Sequence, residues 1–188
     1  MATRTRQACV GAVLVAALVA VGCGSAGSTG LPRPAEQHAL RAYLGAIEPL
    51  RLDVNKLLDR TDPILRGYHD HRLTAAQAQR AMQRLERRFV SYVNAVAAVR
   101  GVPPDLWGAQ NAYAHTYALE DRYLRALIAA LPRRQWDRLP RSEPQQRRTI
   151  VAWRAALALE AARVQVPLPR DIQIAGNGEI TPSPEGNS

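Results

Sequence analysis

The chain is predicted to be all-α and to fold as an up-down four-helix bundle, and three observations predict it. Apolar residues recur at steps of three and four along four long stretches. Prolines and capping residues punctuate those stretches where helices would start and stop. Aromatic residues make up only 5% of the chain and sustained β-branched runs are missing, which argues against a sheet. The other packing open to the same elements is a three-helix core with a fourth helix laid across it.

Leu40, Tyr43, Ile47, Leu50, Val54 and Leu57 form the first stripe. Pro34 suits a first helical turn, whereas Pro49 cannot donate to the Gly45 carbonyl, so a kink is expected there. This helix should end or bend near "TDP" at 61–63 and resume to Gly67. The second stripe is Ala78, Met82, Leu85, Phe89, Tyr92, Val96 and Val99. "TAAQ" before it offers Thr74 as N-cap with Gln77 as its reciprocal partner, and "RGVPP" ends it, with Gly101 suited to a left-handed cap.

A third helix is expected over 105–131, with Leu106, Tyr113, Tyr117, Leu124, Leu127 and Leu131 on its inner face. The same spacing places Gln110 and Glu120 there. The fourth is expected over 143–164, capped by Ser142 with Gln145 as partner, and its stripe is Ile150, Trp153, Leu157 and Val164 with Glu160 beside it. Mainly short connections favour antiparallel neighbours. The conformation of 132–142 is open, with an extra turn of helix around Trp136 as one possibility.

The folded region is thus 34–166. From 167 to 188 the chain is rich in Pro and Gly, shows no helical period, and is expected to be a disordered tail. At the other end, Arg4 and Arg6 precede an uncharged run from Ala8 to Gly22. As a helix that run reaches roughly 22 Å, short of a membrane's hydrocarbon core. A positive start, a short apolar centre and small residues at its end describe a secretory signal over 1–22.

"LVAVGC", Leu18 to Cys23, resembles the lipobox of bacterial lipoprotein precursors. The resemblance implies that Cys23 receives a diacylglycerol group and that a peptidase cuts before it. Ala20 departs from the leucine that is commoner at its place. Two acyl chains are what stable anchoring requires. The lipid anchor would face outside the cytoplasm, and 23–33, the lipidated Cys with the Gly- and Ser-rich stretch after it, would serve as a flexible linker of about 17 Å per ten residues. Beyond the lipobox, the body is similar to helical actinobacterial lipoproteins in general character only, with no motif that assigns a family.

Cys9 lies in the leader, so the mature chain would hold one, modified thiol, which leaves no disulfide, thiol catalysis or Cys-based metal site. The formal net charge is +9, and Lys56 is the single lysine among 25 basic side chains. Such arginine and alanine bias fits a GC-rich genome. The local cluster says more: Arg133, Arg134, Arg138, Arg141, Arg147 and Arg148, with Trp136 among them, could meet anionic lipids, acidic wall polymers or an envelope protein. Nucleic acid is not an expected partner of an exported protein.

Other chemistries leave weaker signals in the sequence. "YHDH" sets His69, Asp70 and His71 close together, but without a third fixed ligand the set reads as a solvated turn and no metal is expected. No Glu-x-x-His occurs, so a ferritin-like di-iron site fails on its own pattern. No nucleophile elbow or phosphate-cradling loop is present either, and neither a cofactor nor catalysis is expected. Gln110, Tyr113, Tyr117, Glu120 and Glu160 could line a polar cavity for a small or lipidic ligand, the alternative being that each glutamate pairs with an arginine such as Arg88 or Arg122. The leading functional expectation is a membrane-anchored, non-catalytic envelope binding or interaction module. A ligand carrier comes second, and a weak metal protein or enzyme third.

Overall fold

The computed structural model describes residues 33–173, 182–184 and 186. The leader, Cys23 and the linker up to residue 32 lie outside the described residues. Six helices are described: α1 (Pro34–Leu58), α2 (Thr61–His69), α3 (Ala75–Ala97), α4 (Trp107–Ala130), α5 (Glu143–Val164) and the short α6 (Arg170–Gln173). Three 3₁₀ turns join them, at Pro104–Leu106, Leu131–Arg133 and Trp136–Arg138. No strand occurs among the described residues.

The four long helices α1, α3, α4 and α5 pack as an all-α bundle. Their directions follow from the partners they share. Gln110 near the start of α4 reaches Val96 at the end of α3, while Gln79 early in α3 reaches the Ile128 carbonyl late in α4. Those two helices are therefore antiparallel. Gln146 at the start of α5 bonds to Glu120 of α4, and Arg163 at its end approaches Asp105 just before α4, so α5 is antiparallel to α4. Arg163 also meets Glu36, and Trp153 meets Tyr43, which runs α1 against α5. The order is up, down, up, down, with α3 and α5 at opposite corners.

The inner faces are those the periodicity predicts. Tyr43, Ile47, Met82, Phe89, Tyr113, Leu124, Trp153 and Leu157 are all buried in one core. Pro49 is exposed beside exposed Gly45, so water can satisfy the carbonyl that the proline leaves without a donor, and α1 runs through it. The break expected near 61–63 comes just before it, at 59–60 between α1 and α2, and α2 continues two residues past Gly67. Thr74 and Gln77 form the expected capping box.

Four expectations need correction. Leu50 is only half-buried, while Arg51 takes the inner position, because Arg51 falls four residues after Ile47 and three before Val54 and folds its guanidinium onto Glu48 at 2.7 Å. Gly101 does adopt φ 70°, but α3 already ends at Ala97 and Gly101 instead shapes the connection beyond it. Ser142 precedes α5 with helical φ −86° and ψ −19°, from which its hydroxyl caps nothing. Pro144 removes one of the amides such a cap would serve.

The fourth concerns the tail. Gln165 takes φ 56°, and the Val166 amide bonds back to Ala161 at 2.9 Å, which closes α5 in a left-handed cap and turns the chain back over the bundle. Val166 and Ile172 are buried, as are Pro182 and Gly186. Pro167 and Arg170 are exposed, so the described part of the tail is packed only in places. Apolar residues too few to show a period still suffice to dock a segment on an existing surface.

Candidate functional site: the arginine-rich end of the bundle

The connection from α4 to α5 is built by contacts from α2. The Tyr68 hydroxyl donates to the Leu131 carbonyl at 2.7 Å. Arg134 Nε donates to the same hydroxyl at 3.3 Å, and its guanidinium lies 5.2 Å above the Tyr68 ring. Arg134 takes a left-handed φ of 51°, which turns the chain into the next 3₁₀ turn. Trp136, half-buried, sets its ring 6.1 Å from that of His69. The loop is therefore a docked structure, and its tryptophan is spent largely on that docking.

Arg133, Arg134, Arg138, Arg141, Arg147 and Arg148 are all exposed. Arg147 pairs with Glu143 at 3.1 Å and Arg134 is held over Tyr68. Among the described residues Arg133, Arg138, Arg141 and Arg148 have no acidic partner. Uncompensated like charges fixed at one end of a small domain create a positive field that attracts polyanions.

The expected polar cavity is brought together only in part. Tyr113, Tyr117 and Glu120 line one void, with Thr116 and Gln146 joining them and Val54, Leu58, Phe89 and Ile150 completing the wall. Gln146 Nε2 donates to Glu120 Oε2 at 3.1 Å and to the Thr116 carbonyl at 3.3 Å. The void has a volume of about 20 Å³, room for roughly one water and far less than an acyl chain. Burial, helped by the charges of Glu120 and Glu143, pushes the nearby Tyr123 phenol well above its usual range.

Gln110 and Glu160 stand elsewhere. Gln110 accepts from the Tyr43 hydroxyl at 2.6 Å, and that hydroxyl accepts from Trp153 Nε1 at 3.0 Å. Burial pushes the Tyr43 phenol up to about 12, against a smaller opposing effect of the Trp153 bond. Glu160, at the far end of the bundle, binds Arg163 through both oxygens at 2.8 Å. An arginine partner was expected for it, but three residues along its own helix rather than at Arg88 or Arg122. Glu120 accepts from the side-chain amide of Gln146.

The histidine cluster is divided by the end of α2. His69 Nε2 lies 2.8 Å from the Pro184 carbonyl, so that nitrogen carries the proton and donates. Asp70 pairs with Arg72 at 2.6 Å, and His71, exposed at φ 57°, turns away into the connection. Among the described residues no three His, Cys, Asp or Glu side chains gather as a metal set. None of the described helices is long and apolar enough to cross a membrane.

Sequence reasoning missed Thr116, Gln146, Tyr68 and Arg51. Gln146 was findable, since it lies four residues before Ile150 on the α5 stripe, and Arg51 by the same spacing. Tyr68 carried no signal, because its partner is 63 residues away. Fold and site together define a class, an all-α helical bundle with an arginine-rich end. No protein-family model matches the chain, and neither a curated protein nor a solved structure does.

Proposed function

We propose that this protein is an exported, lipid-anchored helical module that binds an anionic surface of the cell envelope and carries out no catalysis of its own. The lipobox-like "LVAVGC" supports the anchor at Cys23, on the outer face of the cytoplasmic membrane. The observation that carries the binding role is the docked loop, which presents Arg133, Arg138 and Arg141 to solvent, with Arg148 in the second turn of α5, all without counter-charges among the described residues. A flexible loop would lose entropy on contact with a surface, whereas a docked one has already lost it.

The partner is a surface rich in phosphate or carboxylate, either anionic phospholipid or acidic wall polymer. Each arginine near an anionic membrane contributes about 1 kcal/mol. Replacing the six arginines of the loop and the start of α5 by glutamine is expected to weaken retention of the protein on anionic liposomes or wall preparations, more strongly at low salt than at high. Equal retention of the variant overturns the binding role. Mass spectrometry that finds Cys23 without an acyl group overturns the anchor.

A further inference from the structure

We infer that the outward face of α5 is a seat for an anionic phospholipid bilayer, so that the bundle lies on its side against the membrane. The inference rests on the reading of the chain as an anchored, surface-binding module, and it adds the surface and the orientation.

The observation behind it is that α5 is apolar on both sides. Ile150, Trp153, Leu157, Ala161 and Val164 face the core. On the other side Val151, Ala155, Ala158, Leu159 and Ala162 share one face by helical spacing, and all are exposed. Val151 is 55% exposed and Leu159 75%. A helix whose outer side meets only water normally places charge there. The helix at the opposite corner does so: α3 exposes Arg80, Arg84, Arg87 and Arg88.

Charge selects the occupant. The acids of α5 are Glu143, paired with Arg147, and Glu160, buried under Arg163. From Pro144 onward the outward face therefore shows no exposed carboxylate, while Arg148 stands free at its head among the described residues. Such an apolar strip can sink into the headgroup boundary while the arginine at its head, without an acidic partner among the described residues, meets anionic lipid. Trp107, 60% exposed, stands at the other end of the bundle, where Asp105 approaches Arg163. An amphipathic indole rests well at such a boundary.

The ends of the bundle decide the orientation. Glu36, in the first turn of α1, meets Arg163 at 3.1 Å, so the chain leading back to Cys23 departs from the end opposite the arginine loop. The 22 residues of α5 separate those ends by about 33 Å. Upright on its anchor, the loop would sit far beyond the ~8 Å over which charge is felt at physiological salt. Lying on α5, the molecule touches the bilayer with the anchor end, the apolar face and the arginine end together.

A thiol scan tests this in the full chain carrying Cys9→Ser and Cys23→Ser, with Leu159→Cys, Val151→Cys or Ser91→Cys added singly and labelled with a polarity-sensitive fluorophore. Ser91 is exposed on α3, which touches α4 and α1 but not α5. With vesicles of mixed phosphatidylglycerol and phosphatidylcholine, labels at 151 and 159 are expected to shift to the blue and be quenched by brominated acyl chains, while the label at 91 stays in water. The unlabelled Val151→Ser, Leu159→Ser double variant, whose changes are both on the exposed face, should keep its helicity and bind these vesicles about tenfold more weakly. Equal responses at 159 and 91 overturn the inference. So does a label at 159 that is shielded before vesicles are added, which would mean that a second copy covers the face. Because this chain lacks the acylation site, the scan decides the seat separately from the anchor, which mass spectrometry of Cys23 decides.

Discussion

Phe89 and Tyr43 show what single side chains contribute to this molecule. Phe89 is 1% exposed and its ring lies 6.0 Å from that of Tyr117, beside the small void. Phe89→Ala is expected to cost about 3–5 kcal/mol in chemical denaturation, since the void would enlarge rather than close. A loss under about 0.5 kcal/mol would mean the ring is not a core residue. Tyr43 joins three helices through one hydroxyl, accepting from Trp153 and donating to Gln110. Tyr43→Phe strands a buried indole N–H and a buried amide oxygen, at about 1–3 kcal/mol for each group left unsatisfied.

The same residue predicts a pH response. Burial raises the Tyr43 phenol to about 12 from its ordinary 10. The folded state therefore keeps a proton that the unfolded chain releases. The associated stability is complete below pH 10 and is lost as pH rises from about 10 through 12. Denaturation midpoints should fall more steeply across that window in the wild type than in Tyr43→Phe. Parallel curves would show that Tyr43 does not titrate differently on folding.

At the scale of elements, the two predicted caps separate. Thr74 accepts from the Gln77 amide at 3.3 Å and its own amide donates to the Gln77 side chain at 2.8 Å, so α3 begins with both groups served. Thr74→Ala is expected to cost about 0.5–2 kcal/mol. Ser142 stands at the matching place before α5 with a buried hydroxyl that has no hydrogen-bond partner among the described residues. Ser142→Ala is expected to change stability by less than about 0.5 kcal/mol, because no cap is lost. Equal costs at the two sites would contradict the difference in geometry. Both sites share a Ser/Thr-x-x-Gln pattern, so local sequence could not tell them apart. The helical backbone of Ser142 and the proline two residues on decide it.

At the scale of the whole molecule, the C-terminal segment acts as a strap. Tyr123 donates to the Pro182 carbonyl at 2.8 Å, His69 to that of Pro184 at 2.8 Å, and Gly186 lies against α2 at φ 76°. A Cβ on Gly186 would meet the Arg66 nitrogen and the Asp62 oxygen at 2.9 Å, both backbone atoms that cannot yield cheaply. Gly186→Ala is expected to release the strap, so that limited proteolysis trims the C-terminus several-fold faster while the bundle's melting temperature barely moves. Unchanged trimming would mean the strap is held without Gly186. His69 serves both this strap and, through Trp136, the arginine loop, which ties the arginine-rich end to the tail.

What the sequence determined by itself was the set of long helices, their inner faces, and the expectation of an anchor at Cys23. Periodicity, proline and capping residues act within a few positions, and a single chain displays them directly. Tertiary structure alone decided which distant polar groups meet: Arg163 with Glu36, Tyr68 with Leu131, Glu120 with Gln146, and the tail with α2 and α4. It also decided that the outer side of α5 is left bare. Most of these pairings join residues from distant parts of the chain, and burial makes each polar group take whatever partner packing brings within reach. No local pattern encodes that choice.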